Sequence, residues 1–298
     1  MTTTPGMSAS AGAELPELSW ALRSHPGAVR SDNEDFVGAY SPHVIEDHGP
    51  LFVVCDGMGG HAAGEVASRM AVETVLTTWT TAYPTPTQQA IRAAIRQANS
   101  AVFGASLDVE TRGMGTTCTA LALSGAEAFV GNVGDSRTYL VHRGQCSQLT
   151  SDHSKVGEML RMRLITPEQA ANHPARSQLT RSLGAAPGVQ VDVVRTPIHK
   201  GDSFVLCSDG VWDLVSRQEI AQACALPSVA EGAEKLIALS LERGAPDNVT
   251  VLVVRVTGEI AQLVSDQGRS GGMGLLQRLG LVRGPAKTED AEEEPEPA

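Results

Sequence analysis

The chain has 298 residues, 42% of them hydrophobic, and a formal net charge of −11, which is enough apolar material for one large domain or two small ones with a packed core. Six acidic side chains, Glu289, Asp290, Glu292, Glu293, Glu294 and Glu296, crowd one short stretch, so the rest of the chain carries only −5 and offers no basic patch for nucleic acid. No apolar run approaches the roughly eighteen residues that cross a bilayer, and the opening MTTTPGMSASAGAEL lacks the basic-then-apolar order of a secretory signal, so the expected location is cytoplasmic.

In chain order, residues 1–15 are small and polar and are expected to be disordered. A folded body follows over 16–258. Residues 259–298 contain a linker-like stretch, SDQGRSGGMG, a short LLQRLGLV and an acidic Pro/Glu tail. Within the body, short apolar runs bounded by Gly or Asp predict strands at 51–57, 116–124, 127–133, 136–142, 189–196, 203–210 and 249–256. Gly134-Asp135 and Arg143-Gly144 predict turns between antiparallel neighbours. Apolar residues at three- and four-residue spacing predict helices near 63–82 and 87–105. Two more helices are predicted after Ser216 and from Ser228, the second closed by Gly244, and the segment 154–177 is also helical in pattern. The five cysteines have no CxxC spacing and mostly sit inside apolar runs, so they read as reduced core residues rather than a disulfide or zinc framework. Strands clustered mid-chain and helices in pairs favour an α+β sandwich of two antiparallel sheets over a doubly wound parallel sheet.

Carboxylates recur at the strand borders: Asp56-Gly57 after LFVVC, Asp209-Gly210 after SFVLCS, Asp247-Asn248 before VTVLVV, and Glu34-Asp35 near the start. Each Asp-Gly alone reads equally as a turn, since Asp and Gly commonly end strands. Converging carboxylates repel one another unless a cation neutralises them, and an all-oxygen donor set suits Mg2+ or Mn2+ better than zinc or copper. None of the cysteines lies in a glycine loop followed by arginine, which leaves no cradle for a phosphocysteine route.

The ordered strings VRSDNEDF, VVCDGMGGHAAGE, GMGTTCTA, VGNVGDSRTYL, LTSDHS, LTRSLG, LCSDGVWDLVS and APDNVTVLVV, spanning about residues 20 to 256, resemble the bacterial branch of the metal-dependent (type 2C) serine/threonine phosphatases. The resemblance implies two packed antiparallel sheets flanked by helices on both sides, with 16–258 as the catalytic domain. It also implies two Mn2+ or Mg2+ ions held by Glu34, Asp56, the Gly57 carbonyl, Asp209 and Asp247, with Asp56 bridging them. Asp35 and Asn248 would support these ligands through hydrogen bonds. Arg30 would grip the substrate phosphate, since a guanidinium fork fits phosphate oxygens in two-point contact. His61 is either the general acid for the leaving oxygen or a histidine at a helix start. A third metal would draw on Asp108 or Glu110, together with Asp209. Asp135 and Arg137 are expected to pair or cap a hairpin, Asp152 and His153 to brace a turn, Thr116 and Thr117 to pack a strand, and 154–177 to resemble a mobile flap beside the site.

The function so implied is hydrolysis of phosphoserine and phosphothreonine in proteins by a monomer that opposes a Ser/Thr kinase and acts on that kinase and its substrates. The alternatives are a non-catalytic phosphoprotein-binding member of the fold and a small-molecule phosphoester hydrolase. The complete carboxylate set speaks against the first, and the absence of GxxxxGK[ST], with aromatics at only 4% of residues, against a nucleotide specialist.

Overall fold

A computed structural model describes residues 17–41, 49–59, 63–82 and 85–258. The predicted termini 1–15 and 259–298 and the candidate acid His61 lie outside the described residues. Among those described, no helix is long and apolar enough to cross a membrane.

Among the described residues, eleven strands form two antiparallel sheets. The first has the order β1 (Leu18–His25), β11 (Val249–Val256), β10 (Ser203–Cys207), β7 (Arg137–His142), β8 (Gln145–Gln148). The second has the order β2 (Asp35–Tyr40), β3 (Leu51–Met58), β5 (Cys118–Ser124), β6 (Glu127–Val133), β9 (Asp192–Pro197), with the short β4 (Gly115–Thr116) paired to the end of β3. Helices α1 (Ala63–Thr81) and α2 (Thr87–Ala105) cover the outer face of the second sheet. Helices α6 (Arg217–Cys224) and α7 (Val229–Glu242) cover the outer face of the first. This is the expected α+β sandwich.

Side-chain alternation along each strand builds three apolar layers. In β3, Leu51, Val53 and Cys55 pack under α1 and α2, whereas Phe52 and Val54 join Leu121, Leu123, Val130, Phe204, Leu206, Leu252 and Val254 between the sheets. Carried one step further, the same alternation delivers Asp56 to the inner face. β2 repeats the pattern, with Val37 and Ala39 inside and Asp35 next in the series. Thus at one end of the sandwich the inner apolar layer gives way to polar groups. There Thr117 and Ser136 join hydroxyls at 2.7 Å and Thr119 and Thr138 at 2.8 Å, each pair reaching from the second sheet to the first.

Two expectations are corrected. Gly134-Asp135 does not join antiparallel neighbours: β6 lies in the second sheet and β7 in the first, so this turn carries the chain across the sandwich. Arg137 and Asp135 consequently do not pair across a hairpin. The last three residues of the predicted strand 203–210 are not strand either, because β10 stops at Cys207 and Asp209–Trp212 forms a helical turn, α5. The segment 154–177, helical as its pattern suggests, holds two short helices, α3 (Lys155–Arg161) and α4 (Pro167–Ala171). Arg163 sits at positive φ between them, and Thr166 starts α4 afresh with a capping box and Pro167 at its first position. The Arg143-Gly144 turn does close a hairpin, β7 to β8, with both residues at positive φ as its geometry requires. Cys55, Cys118, Cys207 and Cys224 are buried free thiols, and Cys146 is half-buried and free.

Candidate metal centre

Asp56 is the best-anchored residue of the polar end. Its amide donates to Thr117 Oγ1 at 2.9 Å, while its carbonyl accepts from Thr116 Oγ1 at 2.8 Å and from the Thr117 amide at 2.9 Å. The two threonines therefore clamp the Asp56 backbone, beyond the strand packing the sequence suggested. Directly opposite, Asp35 pairs with Asp56 across β2 and β3. Asp35 is 6% exposed. Its Oδ2 accepts from Ser208 Oγ at 2.7 Å across the two sheets, and Ser208 Oγ in turn accepts from the Thr250 amide at 3.1 Å. Its Oδ1 is buried with no hydrogen-bond partner among the described residues, an unsatisfied acceptor at the edge of an acidic cleft.

Glycines let Glu34 reach the same place. A Cβ on Gly57 would stand 2.2 Å from the Gly64 carbonyl oxygen and 2.5 Å from that of Glu34, and a Cβ on Gly64 would lie 2.6–2.8 Å from the Glu34 carboxyl group. Only hydrogen at these two positions allows the β3 end, the start of α1 and Glu34 to pack together. The Glu34 carbonyl is held by Ser68 Oγ at 2.6 Å and the Gly57 amide at 3.1 Å. Its amide donates to Asn248 Oδ1 at 2.8 Å, and Asn248 Nδ2 donates to the carbonyls of Pro26 at 2.9 Å and Asp32 at 2.8 Å. Asn248 thus ties the loop carrying Arg30 and Glu34 to the strand that follows Asp247. Arg30 Nη2 lies 3.0 Å from Asp247 Oδ2, with both side chains about half exposed, and Arg30 lines a small pocket together with Glu34 and Asn248.

Asp135 and Asp209 complete the floor. Together with Asp247, Gly210, Pro246, Arg176, Trp212 and Asp213 they line a cleft of about 410 Å³. Sequence reasoning missed Asp135 as a cleft residue, because nothing in the string GDSR reveals that it spans two sheets. Asp108, by contrast, lies exposed in the turn after α2, and Glu110 is exposed beside it. No hydrogen bond or cleft lining among the described residues brings either to Asp209.

The electrostatics follow from this crowding. Burial pushes the Asp56 carboxyl well above its ordinary range, and Asp35, Asp209, Asp135 and Asp247 push it the same way. Burial raises Asp209 to about 8, helped first by Asp135 and then by Asp247. Asp35 and Asp135 each rise to about 6, again chiefly through burial. Glu34 is raised by burial despite the opposing pull of Arg30. A protein that crowds this many carboxylates together is built for added positive charge, and the donors are all oxygen, which fits hard divalent cations such as Mg2+ and Mn2+.

Residues 28–239 match the family described as Protein phosphatase 2C. The chain belongs to that family. Within the phosphatase 2C family it is 39% identical over 240 residues to the serine/threonine protein phosphatase PstP of Mycobacterium tuberculosis, covering 80% of this chain but 45% of that protein, so it spans about half the length of that relative. It is 38% identical to the serine/threonine phosphatase stp of Listeria welshimeri, covering 78% of this chain and 94% of the relative. The solved catalytic domain of PstP, in complex with two manganese ions, superposes with a TM-score of 0.70 at 37% identity, covering 80% of this chain and 98% of that one. The family resemblance and the paired-sheet fold expected from the motifs both hold.

Proposed function

We propose that this chain hydrolyses phosphoserine and phosphothreonine in proteins at a centre for two divalent cations, Mn2+ or Mg2+, and thereby opposes a Ser/Thr kinase by acting on that kinase and its substrates. The observation that carries this reading is the acidic cluster: Asp209 and Asp247 line the cleft, both act on the buried Asp56, Asp247 also acts on Glu34 and pairs with Arg30, and Asp35 is held by Ser208. The manganese pair in the PstP catalytic domain supports it. When bound, the cations supply the charge that makes water a nucleophile at neutral pH and offsets the negative phosphoryl oxygens.

The protein's own contribution is placement. Glu34, Asp56, the Gly57 carbonyl, Asp209 and Asp247 are assigned to hold the ions, and a third would draw on Asp135 with Asp209, which face the same cleft. Arg30 stands within 3.0 Å of an assigned ligand, so its fork orients a phosphate at the mouth. Asp35 and Asn248 keep the ligands in register. The unit assigned to this chemistry is residues 16–258, acting as a cytoplasmic monomer.

The test is turnover of a phosphothreonine peptide against ATP and AMP in Mn2+, using the full chain and residues 16–258. The proposal expects the peptide to be preferred by kcat/KM, the shorter chain to match the longer, and Arg30→Lys to raise KM more than it lowers kcat. Preference for a nucleotide would transfer the assignment to small phosphoesters. Binding of phosphoprotein without turnover would make the protein a non-catalytic member of its fold.

A further inference from the structure

At the other end of the sandwich from the acidic cleft, two imidazoles and a carboxylate meet. His142 ends β7, and His199 and Asp202 lie in the turn between β9 and β10. Their donor atoms all lie within 4.8 Å of one another. Asp202 is only 2% exposed and is held by the fold from every side. Its amide donates to the His199 carbonyl at 3.1 Å, its carbonyl accepts from the Val256 amide at 2.9 Å, and its Oδ2 accepts from the His199 amide at 2.9 Å. Gly201, at positive φ, fixes the sharp turn ahead of it. His142 Nδ1 stands 2.6 Å from Asp202 Oδ1, and His199 Nδ1 stands 3.4 Å from Oδ2. The imidazole rings are 5.0 Å apart, and their side chains are 36% and 58% exposed, so the open side of the cluster faces solvent.

We propose that His142, His199 and Asp202 form a site for a nitrogen-preferring transition metal ion such as Zn2+, separate from the oxygen-only cleft. The chemistry differs in kind. Two imidazoles and one carboxylate with an open fourth position are a zinc-type donor set, whereas the cleft offers no nitrogen ligand among the described residues. The spacing fits as well: ligands about 2.0–2.1 Å from a tetrahedral ion are roughly 3.3 Å apart. The His199 Nδ1–Asp202 Oδ2 separation already matches that, and the His142 Nδ1–Asp202 Oδ1 pair needs to open by about 0.7 Å once the ion replaces the proton between them. The buried carboxylate is already fixed and His142 is held against it at 2.6 Å, which lowers the ordering cost of binding. An ion there would fasten the β7 end to the β9–β10 turn, roughly 20 Å along the strands from Asp209.

The experiment is equilibrium dialysis of the full chain against Zn2+ at pH 7.5, with Mn2+ in excess to occupy the acidic cleft, counting bound zinc and following Tm. Wild type is expected to take up one further zinc per chain and to gain thermal stability. His199→Gln, a change at an exposed side chain, is expected to weaken that uptake by at least about 10-fold, abolish the thermal gain and leave Mn2+-dependent phosphate release unchanged. His142→Gln should behave the same way. Zinc uptake equal in wild type and both variants, or none beyond exchange with Mn2+, would overturn the proposal and leave the cluster as a hydrogen-bonded turn.

Discussion

Ser208 shows how much of this site depends on a residue that touches no reacting atom. Its hydroxyl spans the sheets to Asp35 at 2.7 Å, and without it a buried carboxylate would lose the donor that fixes its orientation. Ser208→Ala is expected to raise the Mn2+ concentration for half-maximal activity by about 10–100-fold, as removal of a partner behind metal ligands does, while Ser208→Thr restores most of it. An unchanged Mn2+ requirement in Ser208→Ala would show that Asp35 has no part in holding the centre. The carboxylates assigned to the ions could be picked out of the sequence because each stands in a distinctive string next to a strand. Ser208 and Thr117 could not, since a lone serine or threonine is informative only once its strand face and cross-sheet neighbour are known. His61 stands in the legible string DGMGGH, and its role rests on that string alone.

At the scale of elements, the start of α1 is shaped around Glu34. Gly64 is helical, and Ala has the higher helix propensity, by about 1 kcal/mol. The obstacle to a methyl group there is the Glu34 carboxyl at 2.6–2.8 Å, the far end of a flexible side chain. Gly64→Ala is therefore expected to keep or raise Tm while cutting Mn2+-dependent kcat/KM by at least about tenfold, because it displaces an assigned ligand. Loss of Tm and activity together would point to backbone disruption instead. The long helices were readable from their spacing, and Gly244, at positive φ after α7, ends that helix as its position suggests. β1, β2 and β8 were not read. DFVGAY is six residues interrupted by Gly38, QCSQ is a polar edge strand held only by its hairpin partner β7, and LSWALRSH is fixed by β11 from the far end of the body. The break between α3 and α4 was in principle visible in TPEQ, whose Thr, Pro and Gln stand at the cap, first and third positions of a new helix.

For the whole molecule, the sandwich sets an acidic cleft at one end of an apolar interior, and the cost of that arrangement should appear as a pH dependence. A carboxyl whose folded-state pKa is raised holds its proton more tightly in the native protein than in the unfolded chain. Asp209 moves from the ordinary 3.8 to about 8, so across that window the metal-free native state binds more protons and stability falls as pH rises. In EDTA, Tm at pH 8.5 is expected to lie below that at pH 5.5 by at least roughly 2–4 °C, the equivalent of about 1 kcal/mol for a domain of this size. Mn2+ should remove most of the difference, and Asp209→Asn should shrink it without metal. A metal-free Tm that rises over the same interval would contradict the crowding described. The two-sheet architecture was legible from short strands and paired helices, but the crossing at Gly134-Asp135 was not, because alternation says which face a residue takes and nothing about which sheet its strand joins. The most direct measurement is phosphate release from a phosphothreonine peptide by the full chain in Mn2+, in EDTA, and with Asp209→Asn. The account predicts release in Mn2+ that EDTA abolishes and Asp209→Asn lowers by on the order of 100-fold or more; release that survives both would mean that the carboxylate cleft is not where the chemistry happens.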